Sequence, residues 1–324
     1  MSVAVLIVNF RGYDDLDRCL GSVAPEIRKS DEVIVVDNES DEARLEIVRA
    51  RHPGIVTVPS AVNLGFAAGV NLAARHATAP FLLLLNPDTI VQGPLLSVLD
   101  EWLCAHPDVA VAGPRILNGD GSTQPSARRF PGFSTVFGGR SAWLTRKYPG
   151  NWWSRRNLLG LDIGGPLDVD WLAGSCLMTR RSVFERLGGL DEAFFLYWED
   201  ADYCWRVAAT GGRRTYVPAA AVAHLGGRSA RYDLPRAIRS FHASAFHLYS
   251  KRCRTLGKLS EPLVRAGLYL RGELRVGSAL RDIHAGAAAS RRAAGITRPL
   301  ALLGDANDGL DVAGLDGPEV SPWT

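Results

Sequence analysis

Three short apolar runs in the first third of the chain do most to limit its fold. Residues 3–8 (VAVLIV) end at Asn9, residues 33–36 (VIVV) end at Asp37, and residues 81–85 (FLLLL) end at Asn86. Each run is of strand length, apolar on both faces and closed by a polar side chain, which is how parallel strands buried inside a sheet read. Helical patterns fill the intervals at 14–23, 42–51, 65–76 and 94–105, and 55–58 and 109–112 read as further strands. Strands alternating with helices predict an α/β protein with a doubly wound, mostly parallel sheet. Ligands of such sheets lie beyond the carboxyl ends of the strands, so Asn9, Asp37 and the Asn86-Pro87-Asp88 segment are expected to line one crevice.

The crevice is not that of a dinucleotide-binding domain. The first strand runs into Asn9-Phe10-Arg11-Gly12, with no G-x-G-x-x-G, and no P-loop is present. A nucleotide here would be held by side chains and by the later Gly-containing turn. From 118 to 166 the pattern loosens into Gly, Pro, Arg and Trp, as expected of a long, partly mobile segment of the kind that supplies lids. Regularity returns with a strand over 170–179 and a short helix over 181–187. A helix over 197–210 and a strand over 216–222 leading to His224 follow. After Leu234 the chain becomes basic and helical.

Composition sets the outer limits. Apolar residues make up 47% of the 324-residue chain and charged residues 22%, a globular balance, and the net charge of +3 is too small for a nucleic-acid binder. The charge is uneven: residues 228–299 hold 15 Lys/Arg against 4 Asp/Glu, whereas 300–324 hold 5 acidic residues and no basic one. The body is thus near neutral, followed by a basic region and an acidic tail expected to be disordered. No apolar stretch reaches the ~18–20 residues of a membrane span, and the first residues lack the basic start of a signal peptide, so a cytoplasmic location is expected. Five scattered cysteines without a C-x-x-C pair read as free buried thiols.

Four constellations can carry chemistry. Asn86-Pro87-Asp88 closes a strand; its carboxylate suits a divalent cation bound to a diphosphate, or else merely caps a proline turn. In YWEDADYCWR, Glu199, Asp200 and Asp202 crowd a helix start among Tyr197, Trp198 and Trp205. The helix N-terminus favours their charge while mutual repulsion opposes it, a balance from which a general base can arise, although a solvated acidic helix start reads similarly. Asp202 and Arg206 stand four apart and are expected to pair. His224, at a strand end before Gly226-Gly227, is either structural or a metal ligand by virtue of its neighbours. Asn63, Gly65, Gly69 and Asn71 surround a helix start that offers backbone N–H groups to phosphate or sugar oxygens, or is an ordinary turn.

In their order and spacing, VLIVNFRG, VIVVDN, NLGFAAGVN, LLLLNPD, WLAGSCLMTRR, GGLDEAFFLYWEDADYCWR and His224 resemble the family 2 glycosyltransferases of GT-A fold, in particular the rhamnosyltransferase-like branch related to galactofuranosyltransferases. The likeness spans about residues 3–250. It implies an inverting transfer of a sugar, such as L-rhamnose from dTDP-rhamnose, onto a glycan or polyprenyl-diphosphate-linked acceptor in cell-surface polysaccharide synthesis. A galactofuranose or hexose donor, or a noncatalytic nucleotide-sugar-binding homologue, fits the same motifs.

By this resemblance Asp200 is the catalytic base and Glu199 its acidic neighbour. Asn9, Asp37, Asn38, Asn63, Gly65, Asn71, Asn86 and Asp88 face the donor, and Asp37 and Asn38 match positions for base and ribose. Asp88 and His224 hold Mg²⁺ or Mn²⁺, and Trp171 and Trp198 hold the acceptor. The sequence departs from the family's D-x-D motif in placing Asn86 first. An amide oxygen can ligate but adds no charge, which weakens the expected metal affinity. The implied organisation is a catalytic domain over 1–230, with a nucleotide-binding half to about 115 and an acceptor half beyond it. A basic helical extension over 231–299 and the tail over 300–324 complete the chain. Within the extension, SFHASAFHLYSKR and LVRAGLYLRGELR set basic and apolar residues at helical spacing, which suits peripheral contact with an anionic membrane or an ordinary packed helix.

Overall fold

The apolar runs become the centre of a mixed sheet. The computed structural model describes residues 1–130, 147–148, 158, 163–226, 232–253 and 255–293. The strands of the first half are β1 (Val3–Phe10), β2 (Glu32–Asn38), β3 (Val56–Ser60), β4 (Phe81–Leu85), β5 (Thr89–Gln92) and β6 (Val109–Leu117). Between them run α1 (Tyr13–Val23), α2 (Glu42–Arg51), α3 (Phe66–His76) and α4 (Leu95–Ala105). Short strands β7 (Thr123–Gln124), β8 (Ala127–Arg128), β9 (Leu167–Asp168) and β10 (Trp171–Leu172) precede β11 (Cys176–Arg180). Then come α5 (Arg181–Arg186), α6 (Glu199–Ala209), β12 (Arg213–His224), α7 (Leu234–Arg252) and the long α8 (Glu261–Ala293).

The main sheet is ordered β3-β2-β1-β4-β11-β6-β12-β5. β1 pairs in parallel with β2 and β4, which sets Asn9 opposite Asp37 and brings both to one sheet edge. Successive β1 residues serve opposite faces, as the pleat requires. Val3, Val5 and Ile7 join the core under α1 and α4, while Ala4, Leu6 and Val8 join the core beneath α3 that also holds Tyr203 of α6.

Two features differ from the sequence expectation. The strand expected over 170–179 is divided. Trp171–Leu172 pairs with Ala127–Arg128 in a separate two-stranded sheet, and Cys176–Arg180 enters the main sheet antiparallel to β4 and β6. The break falls at Ala173–Ser175, where the Gly174 N–H turns away from any ladder to bond Asp200. Second, β5, to which the sequence pattern assigns no element, is a strand antiparallel to β12 with Thr89 opposite His224. Most of the loosely patterned 118–166 segment, and the whole 300–324 tail, lie outside the described residues. All five cysteines are free, but Cys104 is exposed rather than buried.

Candidate active site

Asp37 is the most completely bonded acid of the crevice. It is fully buried. Its Oδ1 accepts from Asn9 Nδ2 at 2.6 Å, and its Oδ2 accepts from Tyr13 Oη at 2.8 Å and Ser40 Oγ at 2.7 Å. Tyr13 Oη in turn accepts from the Asp41 N–H at 2.7 Å, and burial pushes the Tyr13 phenol well above its ordinary pKa. Asn9 is equally buried and its Oδ1 has no hydrogen-bond partner. Tyr13 and Ser40 were missed in sequence, although Ser40 stands three residues from the acid it bonds.

The NLGFAAGVN turn is built for packing. Asn38 accepts from Leu64 N at 3.3 Å and donates to Gly65 O at 3.2 Å, while Asn63 Oδ1 accepts from Gly65 N at 2.9 Å. Gly65 has φ +86°, and a Cβ there would strike the Phe195 carbonyl, which accepts from Phe66 N at 2.8 Å. The close approach that the sequence offered to a phosphate is thus made by the protein's own 195 carbonyl. Asn71 is similarly engaged: it donates to Leu190 O at 2.8 Å and Glu192 Oε1 at 2.9 Å, and accepts from Leu190 N at 2.9 Å. Both residues fasten α3 to the loop that leads into the acidic motif.

The β5–β12 ladder joins the expected metal residues. His224 Nε2 lies 3.3 Å from Asp88 Oδ1, and Asp88 O accepts from Leu225 N at 3.0 Å. Gln124 Oε1 sits 3.1 Å from His224 Nδ1, which fixes the ring with Nε2 toward the carboxylate. Gln124 stands a hundred residues from His224 and has no signal in sequence. Asn86, before the same turn, is held by its backbone N–H on Ser175 O at 2.9 Å. A carboxylate and an imidazole nitrogen so aligned are chemically suited to Mg²⁺ or Mn²⁺, ions that keep positions for substrate oxygens. Among the described residues no group of three or more His, Cys, Asp or Glu stands ready to hold a metal.

The acidic motif sits on a strained turn. Tyr197 and Trp198 are both left-handed, with φ of +70° and +69°, a conformation that costs bulky residues ~1–3 kcal/mol each. The helix therefore starts at Glu199, two residues later than expected. Glu199 is buried and its Oε2 has no partner. Burial, then the neighbouring Asp200, push its pKa well above the ordinary carboxylate value. Asp200 is partly exposed, with Oδ2 accepting from Gly174 N at 2.7 Å and Oδ1 from Ala201 N at 2.7 Å. Burial raises its pKa as well, but the Gly174 N–H and the Arg128 charge work against the rise. Both acids are thus pushed toward the protonated form, Glu199 with a bare oxygen and Asp200 against two opposing influences. Tyr197 has its pKa pushed up by burial, then by the charges of Glu199 and Asp88.

Asp202 has a different task. It is fully buried, bonded by Arg206 Nε at 2.7 Å as expected, and approached by Lys251 Nζ of α7 at 2.6 Å. The Trp171 and Trp198 ring centroids lie 6.0 Å apart, with Trp198 immediately before Glu199. Trp171 is buried and donates to Arg129 O at 3.0 Å, so it supports the site from beneath, while Trp198 is partly exposed. Arg128, also missed in sequence, stacks its guanidinium 4.6 Å from the Trp171 ring centroid. Phe241 of α7 packs against Trp198 at 5.3 Å and Tyr197 at 6.0 Å, which makes α7 a wall beside the acidic motif.

Comparison with known proteins agrees with this geometry. The profile described as glycosyl transferase family 2 matches residues 4–188. The N-acetylglucosaminyl-diphospho-decaprenol L-rhamnosyltransferase of Mycobacterium tuberculosis is 32% identical over 296 residues, covering 86% of this chain and 94% of the relative. The rhamnosyltransferase WbbL of Escherichia coli is 27% identical over 275 residues, covering 78% and 94%. Among solved structures, the mannosyltransferase PcManGT of Pyrobaculum calidifontis with GDP-Man and Mn²⁺ superposes with a TM-score of 0.51 at 18% identity, over 90% of this chain and 79% of that one. GalNAc-T7 with UDP, GalNAc and Mn²⁺ gives 0.54 at 16% identity, over 83% of this chain and 54% of that one.

Proposed function

Since the chain belongs to glycosyl transferase family 2 and is a glycosyltransferase of GT-A fold, we propose that it transfers L-rhamnose from dTDP-L-rhamnose to a sugar on a polyprenyl diphosphate, with inversion, in cell-wall polysaccharide synthesis. The observation that carries this reading is the acidic pair itself, a buried Glu199 beside a half-buried Asp200 whose two oxygens are held by the Gly174 and Ala201 N–H groups. The donor and acceptor follow the mycobacterial relative, whose name states a rhamnosyl transfer to a diphospho-decaprenol-linked sugar.

Asp200 Oδ takes the proton of an acceptor hydroxyl, the hydroxyl oxygen attacks the anomeric carbon, and the bond from that carbon to the diphosphate oxygen breaks on the opposite face. One carboxylate serves because the leaving diphosphate needs no proton, whereas a glycosidase needs a flanking pair. Glu199, kept protonated, adds no second charge beside the base. Asp88 and His224 are the residues that would hold Mg²⁺ or Mn²⁺, which supplies countercharge to the leaving nucleoside diphosphate. The Asn9–Asp37–Tyr13–Ser40 network forms the floor for base and ribose, and Asn38, Asn63, Gly65 and Asn71 keep the donor side in place from behind. Trp198 offers an apolar face to the acceptor sugar. Residues 1–230 form the catalytic unit, divided near 115 into donor and acceptor halves, and the reaction belongs at the cytoplasmic face, where nucleotide sugars are made.

The test is a thermal-shift screen of nucleoside diphosphates and nucleotide sugars with and without Mg²⁺ or Mn²⁺, since a ligand of the native state raises apparent stability by mass action. The expected result is a metal-dependent rise with dTDP and dTDP-L-rhamnose, lost in Asp88→Ala. A rise with UDP or GDP compounds alone overturns the donor assignment, and no rise with any of them overturns the transferase reading.

A further inference from the structure

The helical extension divides its two helices between two tasks. α7 is a packed helix: Ala237, Ile238, His242, Ser244 and Leu248 are buried against the body and α8. α8 lies along it, with Gly272 close against His242, Val276 buried and Arg239 bonded to Glu273 at 2.7 Å. At ~100° per residue, Leu263, Leu270 and Leu274 fall within about 40° of one another on the side away from Gly272 and Val276. They are 77%, 60% and 66% exposed, and Leu259, just before the helix, is 80% exposed. An open groove of about 480 Å³ lined by Phe246, Glu261, Pro262, Arg265, Ala266 and Tyr269 lies on the same helix. Exposed apolar side chains so concentrated on one helix mark a surface that meets another apolar phase.

Charge decides what that phase is. Arg271, Arg275 and Arg281 are exposed, the first two on one flank of the leucines and Arg281 in line with them. A second copy of α8 laid on the stripe would bring Arg281 toward its own mate, and the apolar seam would be interrupted at Gly267 and Gly277. An anionic bilayer meets both features together, taking the leucines into its interface and the guanidinium groups at its phosphates. We propose that the outer face of α8 is the protein's docking surface for an anionic phospholipid bilayer. Among the described residues no helix is long and apolar enough to cross a membrane, so the contact is peripheral. Binding to lipid does not depend on the glycosyl-transfer reading; only its purpose, bringing α7 and the acceptor side to a lipid-linked substrate, rests on it.

The experiment is flotation of the full-length chain with vesicles of phosphatidylcholine alone or mixed with phosphatidylglycerol, at low and high salt. Two variants, Leu263→Ser/Leu270→Ser/Leu274→Ser and Arg271→Gln/Arg275→Gln/Arg281→Gln, accompany it. The replaced side chains are exposed, so thermal melting should match the parent and verifies that each variant folds. The parent is expected to float with anionic vesicles about tenfold more than with neutral ones and to be released by salt. The leucine variant should lose about tenfold in partition, and the arginine variant its preference for anionic lipid. A parent that stays unbound to anionic vesicles at low salt overturns the proposal. So does a folded leucine variant that floats like the parent, or a parent dimer that the leucine variant turns into a monomer without change in flotation. Rhamnosyl transfer to a water-soluble acceptor by an enzyme that does not float would separate failure here from failure of the proposed activity.

Discussion

Two buried acids meet the same crevice in opposite ways. Asp37 has three side-chain donors and no exposed surface. Glu199 is nearly as buried, yet one of its oxygens has no partner and its pKa is raised. A carboxylate whose hydrogen bonds are filled is part of the framework; one whose bonds are withheld is pushed toward its protonated form. The Asp37 carboxylate is thus fully bonded, with the Asn9 oxygen beside it left bare, and Glu199 keeps a bare oxygen beside a strained backbone turn.

The sharpest way to break this comparison is to neutralise each acid. Asp200→Asn should lower kcat by about 10³-fold or more, the range for a lost general base, with nucleotide binding near that of the parent by calorimetry. Asp37→Ala should act on stability first. It leaves Asn9, Tyr13 and Ser40 donors without their acceptor, and a loss of about 3 kcal/mol in denaturant melts is expected. Lys251→Met should cost about 2 kcal/mol. Lys251 meets Asp191 at 2.7 Å and Asp202 at 2.6 Å, and its removal leaves Asp202 to Arg206 alone.

Glu199→Gln gives the smallest and most diagnostic effect. In the unfolded chain Glu199 ionises near the ordinary glutamate value, but in the folded chain only at higher pH. Between those values the unfolded state binds fewer protons, so Glu199 subtracts stability as pH rises above about 4.5. The melting temperature of Glu199→Gln relative to the parent should therefore climb from pH 4.5 to pH 8, by a few degrees. A constant difference across that interval would show that Glu199 is not held protonated.

Much of the framework was legible in the sequence because it depends on local pattern. The apolar run 81–85 is β4 residue for residue, the runs 3–8 and 33–36 are the centres of β1 and β2, and helix 42–51 has the bounds expected of it. The parts that escaped depend on long-range pairing. β5 is a four-residue strand hidden after a proline turn, and only its ladder with β12 places His224 at Asp88. The interruption at Gly174 was read as continuous strand because its cause, the Asp200 carboxylate, lies 26 residues away. Of the residues the motifs single out, Asp88 stands 3.3 Å from His224, and Glu199 and Asp200 open α6. Gly65 and Asn71 were read as facing a ligand, but their partners are Phe195, Leu190 and Glu192, at positions no spacing rule could connect. Tyr13, Ser40, Gln124 and Arg128 carried no signal of their own.

The most direct test of the central claim is the stereochemistry of the product. The protein is incubated with dTDP-L-rhamnose, Mg²⁺ and an N-acetylglucosaminyl diphospholipid, and the anomeric configuration of the transferred sugar is read by NMR. The account predicts a rhamnosylated product inverted at the anomeric carbon and formed only when Asp200 is intact. Retention of configuration, or undiminished turnover by Asp200→Asn, would contradict it.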